Sequence, residues 1–537
     1  MKKRLLALVM TGVMAVSLAA CGGSSTKTES SADGSAETSG SEEAAVKDVM
    51  TIVDDEWYGT DPLQQDNWST GQTLIADPLF TLNPDGGDLL DGICTDLTVS
   101  EDGLTMTMTV PEGKYYATGE QVEPEDVVAS IEWGLEVSPY SDGYANIESM
   151  EVDGRQVIMH LSEFRSDLMY YLGECFIGVI DKDQLDSMSQ DELMWGAVPY
   201  GMYTVESYEP GSGVILVANE GYTTDNPLVE NKGAAKIKNV EVRFNSNIEE
   251  FTYIEEMKEG DVDLITYISM DGKTQLEASE DAVVVDKTYP NIEYFELNTT
   301  EGSAFADIAV RQAVALSIDR EALCELTDGS AVPAYSLIYD SVKNFSQEAK
   351  DDFMNNYAND PERAKQILTD AGYADSDGDG YVDKDGQIVE FTFYTRSSGT
   401  SVTIAQGLQE QMKSVGIKMN IESIDWNYIY ENISNDEYDA GIEVLEWAEP
   451  ILVLNCCFYD KDAPGNTDEF YAAVADASST VDSDERTAKI GAIQKDLYTN
   501  WNILPFYSDV SYIAYNNYVK GITVQADGAL YWNDMSF

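Results

Sequence analysis

The sequence predicts an α/β chain in which mixed sheets are covered by helices, and three observations carry that prediction. Stretches such as "LTMTMTV" (104 to 110) and "NVEVRF" (239 to 244) alternate apolar and polar residues with the period of a half-buried strand. "DPERAKQILTDAGY" supplies Asp360 as N-cap, Pro361 in the first turn and Gly372 just past the end, the punctuation of a short helix. Residues 401 to 416 set Ile404, Leu408, Met412 and Val415 on one helical face, stop at Gly416, and run directly into the alternating "IKMNIESIDW". Helix passing into strand, repeated along the chain, gives sheets with helices packed on them.

In chain order, Lys2, Lys3 and Arg4 precede an uncharged run from Leu5 to Ala20. That run is shorter than the ~20 residues needed to cross a bilayer, so residues 1–20 are expected to be a signal peptide that is removed. "Leu18-Ala19-Ala20-Cys21" resembles the bacterial lipobox, which implies lipidation of Cys21. Residues 21–47 hold Gly, Ser, Thr, Ala and charge with almost no large apolar side chains, the composition of a flexible tether. The first strand is "TIVDDEWY". His160 lies in the alternating "QVIMHLSE" and reads as a strand residue. "DSDGDGYVD" (375 to 383) places Asp375, Asp377, Asp379, Gly380 and Asp383 at positions 1, 3, 5, 6 and 9 of a calcium loop. Position 12 is Gly386, which has no carboxylate to give. A structural calcium and a plain acidic turn therefore both stay open, since Asp and Gly are also ordinary turn residues.

The 537 residues, 43% of them hydrophobic and 10% aromatic, suffice for more than one core. With 98 acidic against 31 basic residues the formal charge is −67, and no basic cluster follows residue 4, which excludes a nucleic-acid partner. Beyond Cys21 the cysteines are Cys94, Cys175, Cys324, Cys456 and Cys457, without a Cys-x-x-Cys pattern. They read as small buried apolar residues. One histidine excludes triads and zinc sites that need several, and no G-x-S-x-G, H-E-x-x-H or phosphate-cradling glycine loop occurs. Two carboxylates acting as a glycosidase acid and base are left as a distant alternative. No catalysis and no cofactor other than the structural calcium are expected.

Several segments, in order, resemble the extracellular solute-binding protein family 5 that serves oligopeptide and dipeptide ABC transporters. They are "SEDGLTMTMTVPEGKYYATGEQVEPEDVVASIEWGL" (100 to 135), "PYGMYTVESYEPGSGVILVANEGY", "GDVDL", "NIEYFELNTTEGSAFADIAVRQAVALSIDREAL" (291 to 323), "DPERAKQIL..AGY" and "YDAGIEVLEW". The resemblance implies a two-lobed, periplasmic-binding-protein-like (type II) clamshell with mixed sheets and two hinge crossings, enclosing its ligand as the lobes close. Crossings near 294 to 298 and 504 to 510 would divide the chain into lobe I, 48–295 plus 505–537, and lobe II, 296–504. The implied protein is a monomer held by its lipid on the outer face of the cell membrane, passing short peptides to the transmembrane subunits of an ABC importer.

The same resemblance nominates ligand-binding residues. Family members hold a peptide ammonium with an acid after a tryptophan; here "EWAEPILVLNCC" keeps Trp447, lacks the Asp-Tyr pair and offers Glu449. Trp426 matches a tryptophan beside the ligand, Arg396 is placed to meet a carboxylate or a structural acid, and Trp57 and Tyr58 follow the first strand towards the cleft or pack in the core. Arg311 and Asp319 are expected to be structural. Oligosaccharide on the same scaffold is the close alternative, since an aromatic cleft without the usual aspartate suits a neutral sugar. A nickel chelate or haem ranks lower in a chain with one imidazole.

Overall fold

The structure is a computed structural model that describes residues 47–66, 69–84, 87–174, 177–287, 290–397, 399–435, 437–525 and 528–537; Cys21 and the segment around it lie outside these residues. Residues 47–537 form one compact unit. Its α/β architecture rests on a seven-stranded, a six-stranded and a four-stranded sheet.

The seven-stranded sheet runs, edge to edge, through 282–287, 511–516, 264–268, 49–54, 239–244, 213–218 and 203–209. The first strand, Val49–Asp54, lies parallel to both neighbours, and the flanking pairs are antiparallel. The four-stranded sheet, 95–99, 105–109, 156–161 and 147–153, is antiparallel throughout. Met106 and Met108 face inward from it as the alternation requires, while His160 stays on its outer face beside Glu151. One core joins these two sheets through Met50, Ile52, Met106, Met159 and Val242.

The six-stranded sheet is ordered 331–333, 503–509, 292–297, 440–445, 390–395 and 418–423. A second core, centred on Phe295, Phe393 and Phe506, fills the space between it and its helices. Helix Gly399–Ser414 buries Ile404, Leu408 and Met412 there. Helix Pro361–Asp370 is capped by the Asp360 carboxylate, which accepts from the Arg363 N–H, and ends before Gly372, whose φ of 89° suits glycine. Arg311 donates to the carbonyls of Asn500 and Phe305, and Asp319 caps helix Arg320–Glu325, so both hold the fold together. Cys94, Cys324 and Cys457 are buried and Cys456 half-buried, all as free thiols; Cys175 lies outside the described residues.

The chain passes from the seven-stranded to the six-stranded sheet between Lys287 and Ile292, and returns through Val510. Strand Ile292–Leu297 is paired on both sides within the six-stranded sheet, so boundaries at 295/296 and 504/505 cut through that sheet. The two connections are fastened to each other. The Asn291 side chain donates to the Asp509 carbonyl (3.0 Å) and accepts from the Asp509 N–H (2.8 Å), and the Ser508 hydroxyl donates to the Asn291 carbonyl (2.6 Å). Among the described residues no helix is long and apolar enough to cross a membrane.

Candidate functional site

Strand Ala440–Leu445 leads out of the six-stranded sheet into Trp447, Ala448 and the short helix Pro450–Asn455. This segment touches both cores. Trp447 packs against each of them, with its ring edge-on to Tyr140 at 5.7 Å and to Tyr170 at 6.5 Å, and Leu452 is buried in the core of the seven- and four-stranded sheets. A buried hydrogen bond joins the two sides nearby, where the Ser478 hydroxyl donates to Asp167 at 3.0 Å. Asp167 is also paired with Arg165.

Beside this junction lies a cavity of about 80 Å3, continuous with solvent and walled from both sides: Leu89, Met169 and Tyr170 on one, Asn344, Glu449 and Arg486 on the other. Glu449 is 7% exposed, and its carboxylate accepts from the Leu452 N–H at 2.9 Å as the N-cap of its helix. Burial, reinforced by the Asp167 charge, pushes its carboxyl up to about 8, against the opposing pull of the backbone N–H groups and Arg486. Arg486 donates from Nε to the Asn344 side chain and from Nη1 to the carbonyls of Thr480 and Val481. The wall is thus mainly apolar, with Tyr170 as its aromatic ring, and sets the cations Lys343 and Arg486 beside a carboxyl that burial keeps protonated near pH 7.

The remaining nominated residues are dispersed. Trp57, 1% exposed, donates its indole N–H to Asp54 and packs near Phe244, inside the core. Tyr58 is 60% exposed. Arg396 forms ion pairs with Glu293 and with Asp509, at 3.5 Å for the latter, so two acids of the crossing strands hold its guanidinium. Trp426 begins helix Trp426–Ser434, and its side chain lies outside the described residues.

The acidic turn at 375–383 brings oxygens of Asp375, Asp377 and Asp379 within 4.8 Å of one another. All three residues are exposed. Asp375 accepts from the N–H groups of Gly378 and Gly380, Asp377 from Asp379 and Asp379 from Tyr381. Asp383 turns away to bind the N–H and hydroxyl of Ser376. Each of these carboxylates accepts at least one hydrogen bond from within the turn.

Sequence reasoning missed Asp167, Ser478, Asn344 and Arg486, which meet only through folding. The one acid in the apolar run "GIEVL", Glu443, carried a signal: a carboxylate between Ile442 and Val444 in a strand buried on both faces.

A family model described as bacterial extracellular solute-binding proteins, family 5, middle, matches residues 89–448. The oligopeptide-binding protein AppA of Bacillus subtilis is 23% identical over 465 residues, covering 83% of this chain and 82% of its own. The heme-binding protein A of Haemophilus influenzae is 20% identical over 494 residues, 85% of each chain. The crystal structure of NikA from Brucella suis in complex with Fe(III)-EDTA superposes with a TM-score of 0.76 at 19% identity, over 91% of this chain and 99% of that one. The fold is that of the type II periplasmic binding proteins.

Proposed function

From its membership of the bacterial extracellular solute-binding proteins of family 5, which are transport binding proteins and not enzymes, we propose that this chain captures short peptides for an ABC importer. The seven- and four-stranded sheets belong to one lobe and the six-stranded sheet to the other, hinged beside Asn291 and at Val510. The ligand lies between the lobes, in reach of Trp447 and Glu449, and the importer's transmembrane subunits read the closed form. Lipid on Cys21 and the 21–47 tether hold the receptor at the outer face of the membrane.

The observation that carries the peptide reading is Glu449: a buried carboxyl in a cavity walled by both lobes, pushed up to about 8 by burial. A neutral sugar meets the protonated Glu449 only as an uncharged hydrogen-bond partner. A terminal ammonium restores its charge and is bound more tightly for being desolvated. Nickel chelates and haem would meet no imidazole, because His160 sits on the outer face of the four-stranded sheet.

A thermal-shift series tests this: tri- to hexapeptides beside cello-, xylo- and malto-oligosaccharides, Ni(II)-histidine and haem. A ligand that binds only the folded state raises the midpoint, by roughly 2.7 kcal/mol of stabilisation at a hundredfold excess over Kd. Peptides are expected to do so. A shift with sugars, nickel or haem alone overturns the assignment.

A further inference from the structure

The cavity beside Glu449 holds a guanidinium that has no anion of its own. Arg486 lines it, is 5% exposed, and makes three hydrogen bonds, all to neutral acceptors: the Asn344 side chain and the carbonyls of Thr480 and Val481. Those bonds use Nε and Nη1; Nη2 donates to nothing among the described residues. Glu449, Asp482 and Asp88 attract Arg486 from a distance, and none of them forms an ion pair with it. A buried charge is ordinarily paired, because a lone one is costly to desolvate.

A second, independent observation comes from the opposite wall. Ser166 lines the same cavity at 7% exposure, and its hydroxyl is buried without a hydrogen-bond partner. It opens helix Ser166–Gly173, whose N-cap residue Arg165 offers no side-chain cap, so nothing from that side chain covers the positive end of the helix. The acid in the first turn, Asp167, is already engaged by Arg165 and the Ser478 hydroxyl. Lys343 adds a further cation to the wall and is tied to the exposed Asp88 at 3.2 Å. Glu449 gives no counter-charge while its carboxyl is protonated. The space of about 80 Å3 between these groups admits one small part of a ligand and not a whole peptide.

We propose that Arg486 and Ser166 form a subsite for a carboxylate of the bound peptide. The inference rests on the peptide reading and adds the charge of opposite sign to the one that Glu449 recognises. The guanidinium Nη2 and the serine hydroxyl each have an N–H or O–H to give, and carboxylate oxygens accept both. An amide in the same place satisfies the hydroxyl but leaves the guanidinium charge unpaired. A peptide has two sources of such a group. The side chain of an acidic first residue lies a few bonds from the ammonium, so the cavity then meets both charges, ammonium on Glu449 and carboxylate on Arg486. The C-terminal carboxylate enters alone, and Glu449 stays protonated and donates to it.

The test is calorimetric titration of the full chain with Glu-Ala-Ala, Gln-Ala-Ala and the C-terminal amides of both. Removing the carboxylate that occupies the subsite is expected to weaken binding about ten- to a hundredfold, the range of a charge-assisted hydrogen bond. A loss with glutamine identifies the side chain as its source, and a loss with the amide identifies the C-terminus. In Arg486→Gln that discrimination disappears. Ser166→Ala, which deletes a hydroxyl with no partner in the fold, reduces it severalfold without lowering the thermal midpoint, and decides the matter if Arg486→Gln does not fold. Equal binding of all four peptides, or discrimination that survives Ser166→Ala undiminished, overturns the subsite and leaves the peptide reading standing. Failure of these and of the tri- to hexapeptide series to bind removes both.

Discussion

In the turn at 375–383, Asp375, Asp377 and Asp379 stand in water and accept from backbone N–H groups a few residues away. At the junction of the sheets, Glu296, Glu443 and Glu449 are buried and pushed up to about 8, 9 and 8, chiefly by loss of solvent. The turn has the denser run of acids and the more conspicuous pattern, yet its charges are met locally. The junction has single acids scattered over more than 150 positions, and Glu449 lines a cavity. A carboxylate's demand for a cation is set by its desolvation, and sequence density reports poorly on that.

The largest expected consequence is in stability against pH. Unfolded, these three glutamates release their protons near 4.5; folded, they keep them to about 8 or 9. The folded chain thus holds more protons throughout the interval, and its stability falls as pH rises from about 5 to about 9, by several kcal/mol in all. Urea midpoints of the unliganded protein across that range measure it, and Glu443→Gln should flatten the slope. A constant midpoint would mean that the three acids are ionised inside the fold and that the contrast with the turn is false.

Next in size, Glu449→Gln should weaken an ammonium-bearing ligand by on the order of 2 kcal/mol, read by calorimetry with the best peptide of the screen. Unchanged affinity takes Glu449 out of the site. Ser478→Ala removes the buried bond to Asp167 and should cost about 1 kcal/mol in unfolding free energy, with a correspondingly weaker hold on ligand. If only stability changes, that bond belongs to packing and not to closure. At the smallest end, chelator or millimolar calcium should leave the melting temperature unchanged, because the 375–383 turn is already hydrogen-bonded. A clear rise with calcium would show that the exposed acids also bind a cation.

Local elements were legible in the chain. Asp360, Pro361 and Gly372 delimit the helix that forms between them, and "NVEVRF" is the strand it reads as, because caps and alternation are short-range signals. The family was legible too, since its motifs are contiguous. The site was legible only in part. Glu449 follows its strand into the cavity wall and Trp447 packs against both cores beside it, but Trp57 looks the same in sequence and is core. For Arg396 the chain offered a ligand carboxylate or a structural acid, and folding brings it Glu293 and Asp509, 103 and 113 positions away.

The amide of Asn291 imitates a peptide group, giving and receiving one hydrogen bond each with Asp509. It adds a rung where the two connections leave the sheet, so that they form a single ribbon and not a pair of independent joints. A ribbon of this kind resists sliding of one strand past the other and yields to twisting and bending. If the two halves close as proposed, such a ribbon confines them to a swing about one line and brings the cavity edges together in the same register each time.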